Sequence, residues 1–314
     1  MKPELLGSYA IGAVNRRFLL MGYLPSLAAG FFLLVLVWAG APGSRISFAD
    51  AWHTASRLSA GELVVLVLGT MLVTLLLHPL QLPLVRVLEG AWPTFMAPVR
   101  RWCVARQRAR RRVLDTRSAL PPDNPTRAQV QAAGEAGLQM RRRFPPHERV
   151  MPSALGNALA AMEHRAGSAY GWDATVAWPR LYPLVSEQTR AIVDDRRDTM
   201  DTAVRLACTA FVTAAAAVAL LWRSGGWILL PLLLLSVSRI AYRGAVGAAV
   251  AYGEAVEAAF DLHRFDLVAA LRLPLPADHA EERDQAKDVS AFWRQRKPVP
   301  FTYRHADPPD GGSQ

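Results

Sequence analysis

Long apolar runs without charged side chains constrain this sequence more strongly than any other feature. Residues 18–40 contain no Asp, Glu, Lys or Arg over 23 positions, and residues 63–85 form a second uncharged run. Because a helix rises about 1.5 Å per residue, about 20 apolar residues cross a hydrocarbon core of about 30 Å. A cleavable signal peptide has a shorter apolar core followed by small residues. The sequence therefore predicts two retained transmembrane helices, with an external loop at 41–62 between them.

A further apolar region, residues 206–238, predicts a helical hairpin in the membrane. Its two uncharged halves are separated at 223–226, where Arg and Ser are followed by two conformationally permissive glycines. The second half has 15 uncharged residues before Arg239. That is about 22 Å of helix, shorter than a hydrocarbon core of about 30 Å. The hairpin therefore either spans the membrane with Arg239 at a partner or the interface, or is re-entrant. Residues 239–273 predict a long helix leaving the membrane.

The distribution of charge predicts the side of the membrane that each segment occupies. Residues 86–205 hold 20 Arg against 12 Asp and Glu, whereas the 41–62 loop is balanced. Segments rich in Lys and Arg stay on the cytosolic side, so we expect 86–205 to form a basic helical cytosolic domain. Residues 1–17 are expected to be a cytosolic N-terminus, and 274–314 a polar, partly disordered cytosolic tail.

The composition indicates a source and argues against two kinds of site. Of the 36 basic residues all but Lys2, Lys287 and Lys297 are arginines, and this excess, with one of alanine, is typical of a GC-rich bacterial genome. The expected location is therefore a bacterial plasma membrane. The two cysteines, Cys103 and Cys208, lack metal-type spacing, so neither a disulfide framework nor a zinc site is predicted. No cofactor is predicted.

A cluster of seven arginines follows the second predicted span. An arginine cluster beside a membrane attracts anionic lipid head groups, at about 1 kcal/mol per charge. Trp92 and Trp102 flank the cluster, as interfacial aromatic residues do. We therefore predict contact with anionic lipid; the alternatives are a topology signal alone, or nucleic acid, for which no fold signature is present. The cluster consists of Arg100, Arg101, Arg106, Arg108, Arg110, Arg111 and Arg112.

An acidic segment before the hairpin offers a catalytic alternative. Asp194, Asp198 and Asp201 follow the spacing i, i+4, i+7, which puts them on one face of a helix. Carboxylates at such spacing can hold Mg²⁺ against a diphosphate, as a lipid-phosphate enzyme requires. The nearest candidate for a second acidic motif, DLHRFD at 261–266, has a different spacing. We favour a solvated helix face on which neighbouring arginines pair with these carboxylates.

Residues 156–181 contain groups that could act in acid–base chemistry. No nucleophile elbow, P-loop, GxGxxG or HExxH motif accompanies them. We therefore favour a structural role, with two short helices interrupted at a Tyr-Gly stop and with Glu163 and Arg165 in ion pairs. His78, inside the second apolar run, is interpreted as an interfacial histidine. The candidate acid–base groups are Glu163, His164, Arg165 and Asp173.

The predicted helix after Arg239 carries a stripe of small side chains that includes Gly244, Gly247, Ala251 and Ala255. Small residues let helix backbones approach closely in lipid. Glycine in a helix interior costs about 1 kcal/mol against alanine, so two glycines on one face suggest close packing. The packing partner is span three of the same chain or a second copy, and we favour a homo-oligomer. Genome composition alone also produces alanine-rich stripes.

Three segments carry a resemblance to other proteins. They are GNALAAMEHRAGSAYGWDATVAWPRL at 156–181, FDLHRFDLVAALRLPLPADHAEER at 260–283 and RVLEGAWP at 86–93. The first is the most specific, and together they resemble uncharacterised integral membrane proteins of high-GC Gram-positive (actinobacterial) bacteria. The resemblance covers most of residues 63–295. It implies a plasma-membrane location and similar span placement, and it implies no activity, cofactor or catalytic residue.

The sequence therefore predicts an all-α integral membrane protein with four transmembrane helices, a helical cytosolic domain and both termini in the cytosol. The expected function is a membrane-anchored scaffold or accessory subunit that docks an unidentified cytosolic protein at the plasma membrane. Two alternatives stay open. One is an oligomeric channel or small transporter, and the other is a Mg-dependent lipid-phosphate enzyme using the aspartates of segment 194–201. A non-enzymatic role is favoured because no catalytic motif is present.

Overall fold

The architecture is all-α, as the sequence predicts. The computed structural model describes residues 24–120, 124–296, 298 and 301–303, without the side chains of 73–84, and this part of the chain contains helices and no strand. Part of the predicted first span, residues 18–23, lies outside the described residues. So do the predicted cytosolic N-terminus and the end of the tail.

The chain forms long helices joined by short connections. Between them lie short 3₁₀ turns, including Thr94–Met96 and Gly225–Ile228. Among the described residues, α8 and α9 are the longest helices, at 35 and 42 residues, followed by α3 at 30. The helices are α1 Leu24–Trp38, α2 Phe48–Ser56, α3 Ala60–Glu89, α4 Ala97–Ser118, α5 Arg127–Arg143, α6 Ala154–Arg165, α7 Ala174–Leu181, α8 Glu187–Leu221, α9 Leu229–Ala270 and α10 His279–Gln295.

Two helical segments among the described residues are long and apolar enough to cross a membrane. They are α8 and the segment Gly225–Ala270, which contains α9. A third candidate exists if α2 and the start of α3, Ala60–Leu72, count as one span despite a 116° bend between them. These helices are consistent with a membrane protein, whereas the count of four spans stays a prediction.

The helices divide into two compact units. Unit 1 comprises Met1–Leu88 and Thr199–Ala245, and unit 2 comprises Glu89–Asp198 and Val246–Gln314, in each case within the described residues. Helices α8 and α9 therefore each contribute residues to both units.

Unit 1 contains the turn of the predicted hairpin. Helix α8 ends at Leu221, and α9 begins at Leu229 after a turn in which Gly225 has φ +58°. The Ser224 hydroxyl donates to the carbonyl oxygen of Gly43 at 2.9 Å. Further along, the Ser238 hydroxyl donates to the carbonyl oxygen of Ala207 at 2.9 Å and joins α9 to α8. The two helices are thus held together by this hydrogen bond as well as by apolar packing near the turn.

Unit 2 has its own hydrophobic core, built from α6 to α10. Phe260 of α9 is fully buried, with Leu181 and Val193 buried in the same cluster. Local sequence signals define where its helices begin. Thr126 and Gln129 form a capping box at α5, and Asp278 accepts a hydrogen bond from the Glu281 amide at the start of α10. Such caps satisfy amide groups that have no partner inside the helix.

One close backbone approach in unit 2 requires glycine. A Cβ atom at Gly156, in α6, would lie 1.9 Å from the carbonyl oxygen of Glu89. We expect Gly156→Ala to lower the free energy of unfolding by about 2–3 kcal/mol, because backbone must move to accommodate the methyl group. The measurement is thermal or denaturant unfolding in detergent micelles.

Gly134 in α5 provides the matched control. A Cβ atom there would meet nothing within 4 Å, so Gly134→Ala should stabilise its helix by about 0.5–1 kcal/mol. Equal stability of the two variants would contradict the close approach at Gly156.

Candidate functional site

Helix α4 carries all seven arginines of the predicted lipid-binding cluster. Arg100, Arg101, Arg106, Arg110 and Arg112 are exposed. The other two, Arg108 and Arg111, are half-buried, and the Nε atom of each is buried without a hydrogen-bond partner. The structure therefore brings the cluster onto one helix but does not present it as a single outward face.

Helix α5 packs against α4, and small residues make the approach possible. The buried residues of α5 are Ala133, Ala136 and Gly137. A Cβ atom at Gly137 would lie 3.5 Å from Cβ of Ser118 in α4. The facing side of α4 includes Gln107, which is 7% exposed. Because these contacting side chains are small, the two basic helices pack closely despite their like charge.

An open cleft of about 650 Å³ lies among α4, α5 and α9 within unit 2. Its apolar lining includes Leu114, Leu138 and Val250. Arg142 pairs with Glu254 at 2.8 Å, and both side chains are about 40% exposed. The charged lining residues are Arg117, Arg142, Arg143 and Glu135. We call this feature the α4–α5 cleft.

Two of the cleft arginines are available to an incoming group. Arg117 and Arg143 are exposed, and neither makes an ion pair within the part of the chain that the structure describes. Glu135, the acidic lining residue, accepts a hydrogen bond from Gln131 at 3.0 Å. The cleft thus combines an apolar floor with an excess of positive charge, which suits an amphipathic acidic segment.

Two of the three segments that carry the sequence resemblance, 156–181 and 260–283, meet in a polar cluster around Arg264. Its Nε donates to Glu282 Oε1 at 2.7 Å, and its guanidinium carbon lies 4.1 Å from the ring centroid of Tyr170. The Glu282 side chain is only 8% exposed. The Tyr170 hydroxyl donates to Asp261 Oδ1 at 2.9 Å, and burial, with this hydrogen bond, raises the pKa of Tyr170. We call Arg264, Glu282, Tyr170 and Asp261 the Arg264 clamp.

A second set of contacts ties helix α10 to the start of α7. The rings of Trp172 and Trp293 stack at 5.9 Å, and Arg180 lies 4.3 Å above the ring of Trp293. Asp173, one of the acid–base candidates, caps α7 and forms an ion pair with Arg294. Asp173 therefore has a structural role, because it caps α7 and holds α10 against it. Helix α10 lies inside the segment 274–314, which the sequence predicts to be a polar tail and not a helix.

The remaining acid–base candidates lie at the surface or in a structural ion pair. Glu163 and His164 are exposed. Arg165 pairs with Glu257 of α9 at 2.5 Å. The side chain of His78 is outside the described residues. The structure thus gives Arg165 and Asp173 separate partners on α9 and α10.

The aspartates of segment 194–201 lie on the continuous helix α8. Asp194 Oδ1 accepts a hydrogen bond from the Tyr182 hydroxyl at 2.6 Å, and this bond is the main reason why the pKa of Tyr182 is raised. Asp198 is exposed, and Asp201 is half-buried. Among the residues with described side chains, no group of three or more His, Cys, Asp or Glu is arranged to hold a metal ion.

The small-residue stripe of α9 divides into an exposed and a half-buried part. Gly244 and Gly247 are exposed, and a Cβ atom at either would meet nothing within 4 Å. Ala251 and Ala255 are half-buried, and Ala255 packs against the core of unit 2. Close packing at the two glycines, if it occurs, therefore needs a partner other than the described residues.

Comparison with known proteins identifies no relative: no protein-family model, curated protein or solved structure matches the chain significantly. The resemblance to actinobacterial membrane proteins therefore stays a prediction from sequence.

The Arg264 clamp predicts which ion pair on α10 matters for stability. We expect Glu282→Ala to lower the free energy of unfolding by about 2–4 kcal/mol, because it leaves the guanidinium of Arg264 partly buried and unpaired. The control is Asp284→Ala on the same helix, which removes the exposed pair with Lys287 and should cost less than about 1 kcal/mol. Denaturant unfolding of both variants would show the difference, and similar costs would argue against the clamp.

The open space at Gly247 generates a prediction about self-association. If a second copy packs there, Gly247→Leu should weaken oligomers by blocking close backbone approach. Val250→Leu, three residues further along, should leave them intact. Crosslinking or mass photometry in nanodiscs measures the effect, and a monomeric wild-type protein would refute the oligomer.

Proposed function

We propose that the protein is a membrane-anchored scaffold that docks an acidic segment of a cytosolic protein in the α4–α5 cleft. The observation that carries the proposal is the cleft itself, whose lining combines Arg117 and Arg143 with the apolar side chains of Leu114, Leu138 and Val250. An amphipathic helix binds such a groove with its apolar face and pairs its acidic side chains with the rim.

The proposal includes a location and a topology. The membrane would be a bacterial plasma membrane, with both termini and residues 86–205 in the cytosol and 41–62 outside. Support comes from the apolar helices α8 and α9 and from the arginine excess of 86–205 over the balanced 41–62 loop. In this arrangement the cleft faces the compartment that contains soluble partners.

Site-specific photo-crosslinking in the source cell tests the docking proposal. A photoreactive residue at Ala132, which lines the cleft, should crosslink a discrete cytosolic protein through an acidic segment. Reversing charge with Arg117→Glu and Arg143→Glu should reduce the crosslink roughly tenfold or more, because it replaces attraction at the rim with repulsion.

Matched controls lie on the same unit. Ala128 is exposed on α5 outside the cleft lining, and Arg127 and Arg149 are exposed arginines elsewhere. A probe at Ala128 should give little of the specific product, whereas the charge reversals Arg127→Glu and Arg149→Glu should leave crosslinking from Ala132 unchanged. Equal crosslinking from Ala128 and Ala132, or insensitivity to reversal at the cleft, would contradict the proposal.

Two other functions remain proposals with separate tests. For an oligomeric channel or small transporter, support comes from the exposed face at Gly244 and Gly247, and ion or solute flux into liposomes would favour it. For the lipid-phosphate enzyme, Mg²⁺-dependent turnover that is lost in Asp194→Asn and Asp198→Asn would favour it. Neither result is expected of a scaffold.

A further inference from the structure

The outward side of α4 carries an exposed apolar stripe. Val99, Trp102, Ala109 and Val113 follow one another at steps of three or four residues, with Arg106 between the second and third, and such steps keep side chains on one helix face. Trp102 is 62% exposed, and Val99 and Val113 are about half exposed. Phe95, just before the helix, is 80% exposed. We call Phe95, Val99, Trp102, Ala109 and Val113 the outer stripe.

The outer stripe lies on a different side of α4 from the residues that pack into unit 2. Gln107 is buried and Leu114 is half-buried. At about 100° per residue, these two positions lie about 140° and 120° around the helix from Trp102. Large aromatic and aliphatic side chains on the exposed side of a helix mark an interaction surface. No described residue buries the stripe.

Arginines flank the outer stripe on both sides. Counting about 100° per residue, Arg101 and Arg112 lie on one side and Arg110 and Arg117 on the other. Arg106, within the stripe's own face, lies 5.7 Å above the ring of Trp102. In total α4 holds eight arginines and one aspartate. Long basic side chains beside an apolar face can extend toward phosphate groups while their stems cover apolar surface.

We propose that α4 lies in the head-group region of an anionic membrane, with the outer stripe inserted between the lipids. An interfacial helix combines an apolar face with flanking Lys or Arg and binds by apolar burial plus attraction to anionic lipid. Both components are present on α4. A topology signal requires only the charges, and a nucleic-acid surface does not require Phe95, Trp102 and Val113 to be exposed. The inference goes beyond the docking proposal, because none of the five outer-stripe residues lines the cleft, although Arg117 borders both surfaces.

Fluorescence quenching by brominated lipid chains tests the proposal in the full-length protein. In a Cys103→Ser, Cys208→Ala background, an environment-sensitive probe is attached at Ala109→Cys within the stripe. The control probe is at Ala128→Cys, on exposed α5. In nanodiscs containing phosphatidylglycerol with brominated chains, the probe at 109 should lose roughly half of its fluorescence or more, and the probe at 128 should lose little. High salt should weaken the quenching.

Charge and apolar variants separate the two components of binding. Trp102→Glu with Val113→Glu should remove the quenching, whereas Leu262→Glu, at a 69% exposed leucine of α9, should not. Arg101→Gln with Arg112→Gln should reduce quenching in anionic discs, whereas Arg127→Gln with Arg149→Gln should not. Unchanged circular dichroism of each variant would verify that it is folded.

Three outcomes would overturn the proposal. One is an unquenched probe at 109 in anionic discs. Another is equal quenching in anionic and purely phosphatidylcholine discs, which would show that α4 does not recognise lipid charge. The third is a change in the fluorescence of the probe at 109 that occurs only when two copies share a disc. That result would mean that the outer stripe contacts a second copy of the chain and not lipid.

Discussion

The attachment of α10 to the rest of unit 2 centres on the ion pair between Arg264 and Glu282. A carboxylate that is only 8% exposed is tolerated inside a protein because a guanidinium neutralises it and satisfies its oxygen atoms. The pair joins α9 to α10. Once α10 is fixed, Trp293 can stack on Trp172 and Ser290 can accept a hydrogen bond from the Asp173 amide. The contacts that Trp172 and Asp173 make with α10 therefore depend on this pair.

Sequence analysis predicts the helical class and the basic helix because these depend on local patterns. Uncharged runs of sufficient length predict membrane helices, and glycines at 225 and 226 predict the turn between α8 and α9. It could not predict α10, whose buried residues include Glu282 and Ser290 as well as Ala286 and Val289. Two of these four buried residues are polar and the helix is polar on average, so its sequence resembles a solvated tail.

The candidate surfaces were partly visible in the sequence. The arginines of α4 are evident in the sequence, but Arg108 and Arg111 are half-buried in the structure. The inner side of α4 is marked by the buried Gln107, and its outer side by the exposed Trp102. A buried glutamine and an exposed tryptophan reverse the ordinary expectation for each residue type. The α4–α5 cleft also needs Val250, which lies more than a hundred residues further along the chain. Such a site depends on tertiary packing and cannot be inferred from spacing.

The order of segments in unit 2 has a consequence for biosynthesis. Its two parts, 89–198 and 246–303 as far as they are described, are separated in the chain by residues of unit 1. Leu181 and Val193 therefore leave the ribosome well before Phe260 and α10, which complete the core around them. Until then, apolar surface that is buried in the finished protein is open to water and to other nascent chains. Maturation of unit 2 must accordingly wait for the apolar segments of α8 and α9 to be synthesised, and ribosome pausing after residue 198 would prolong the interval in which chaperones are needed.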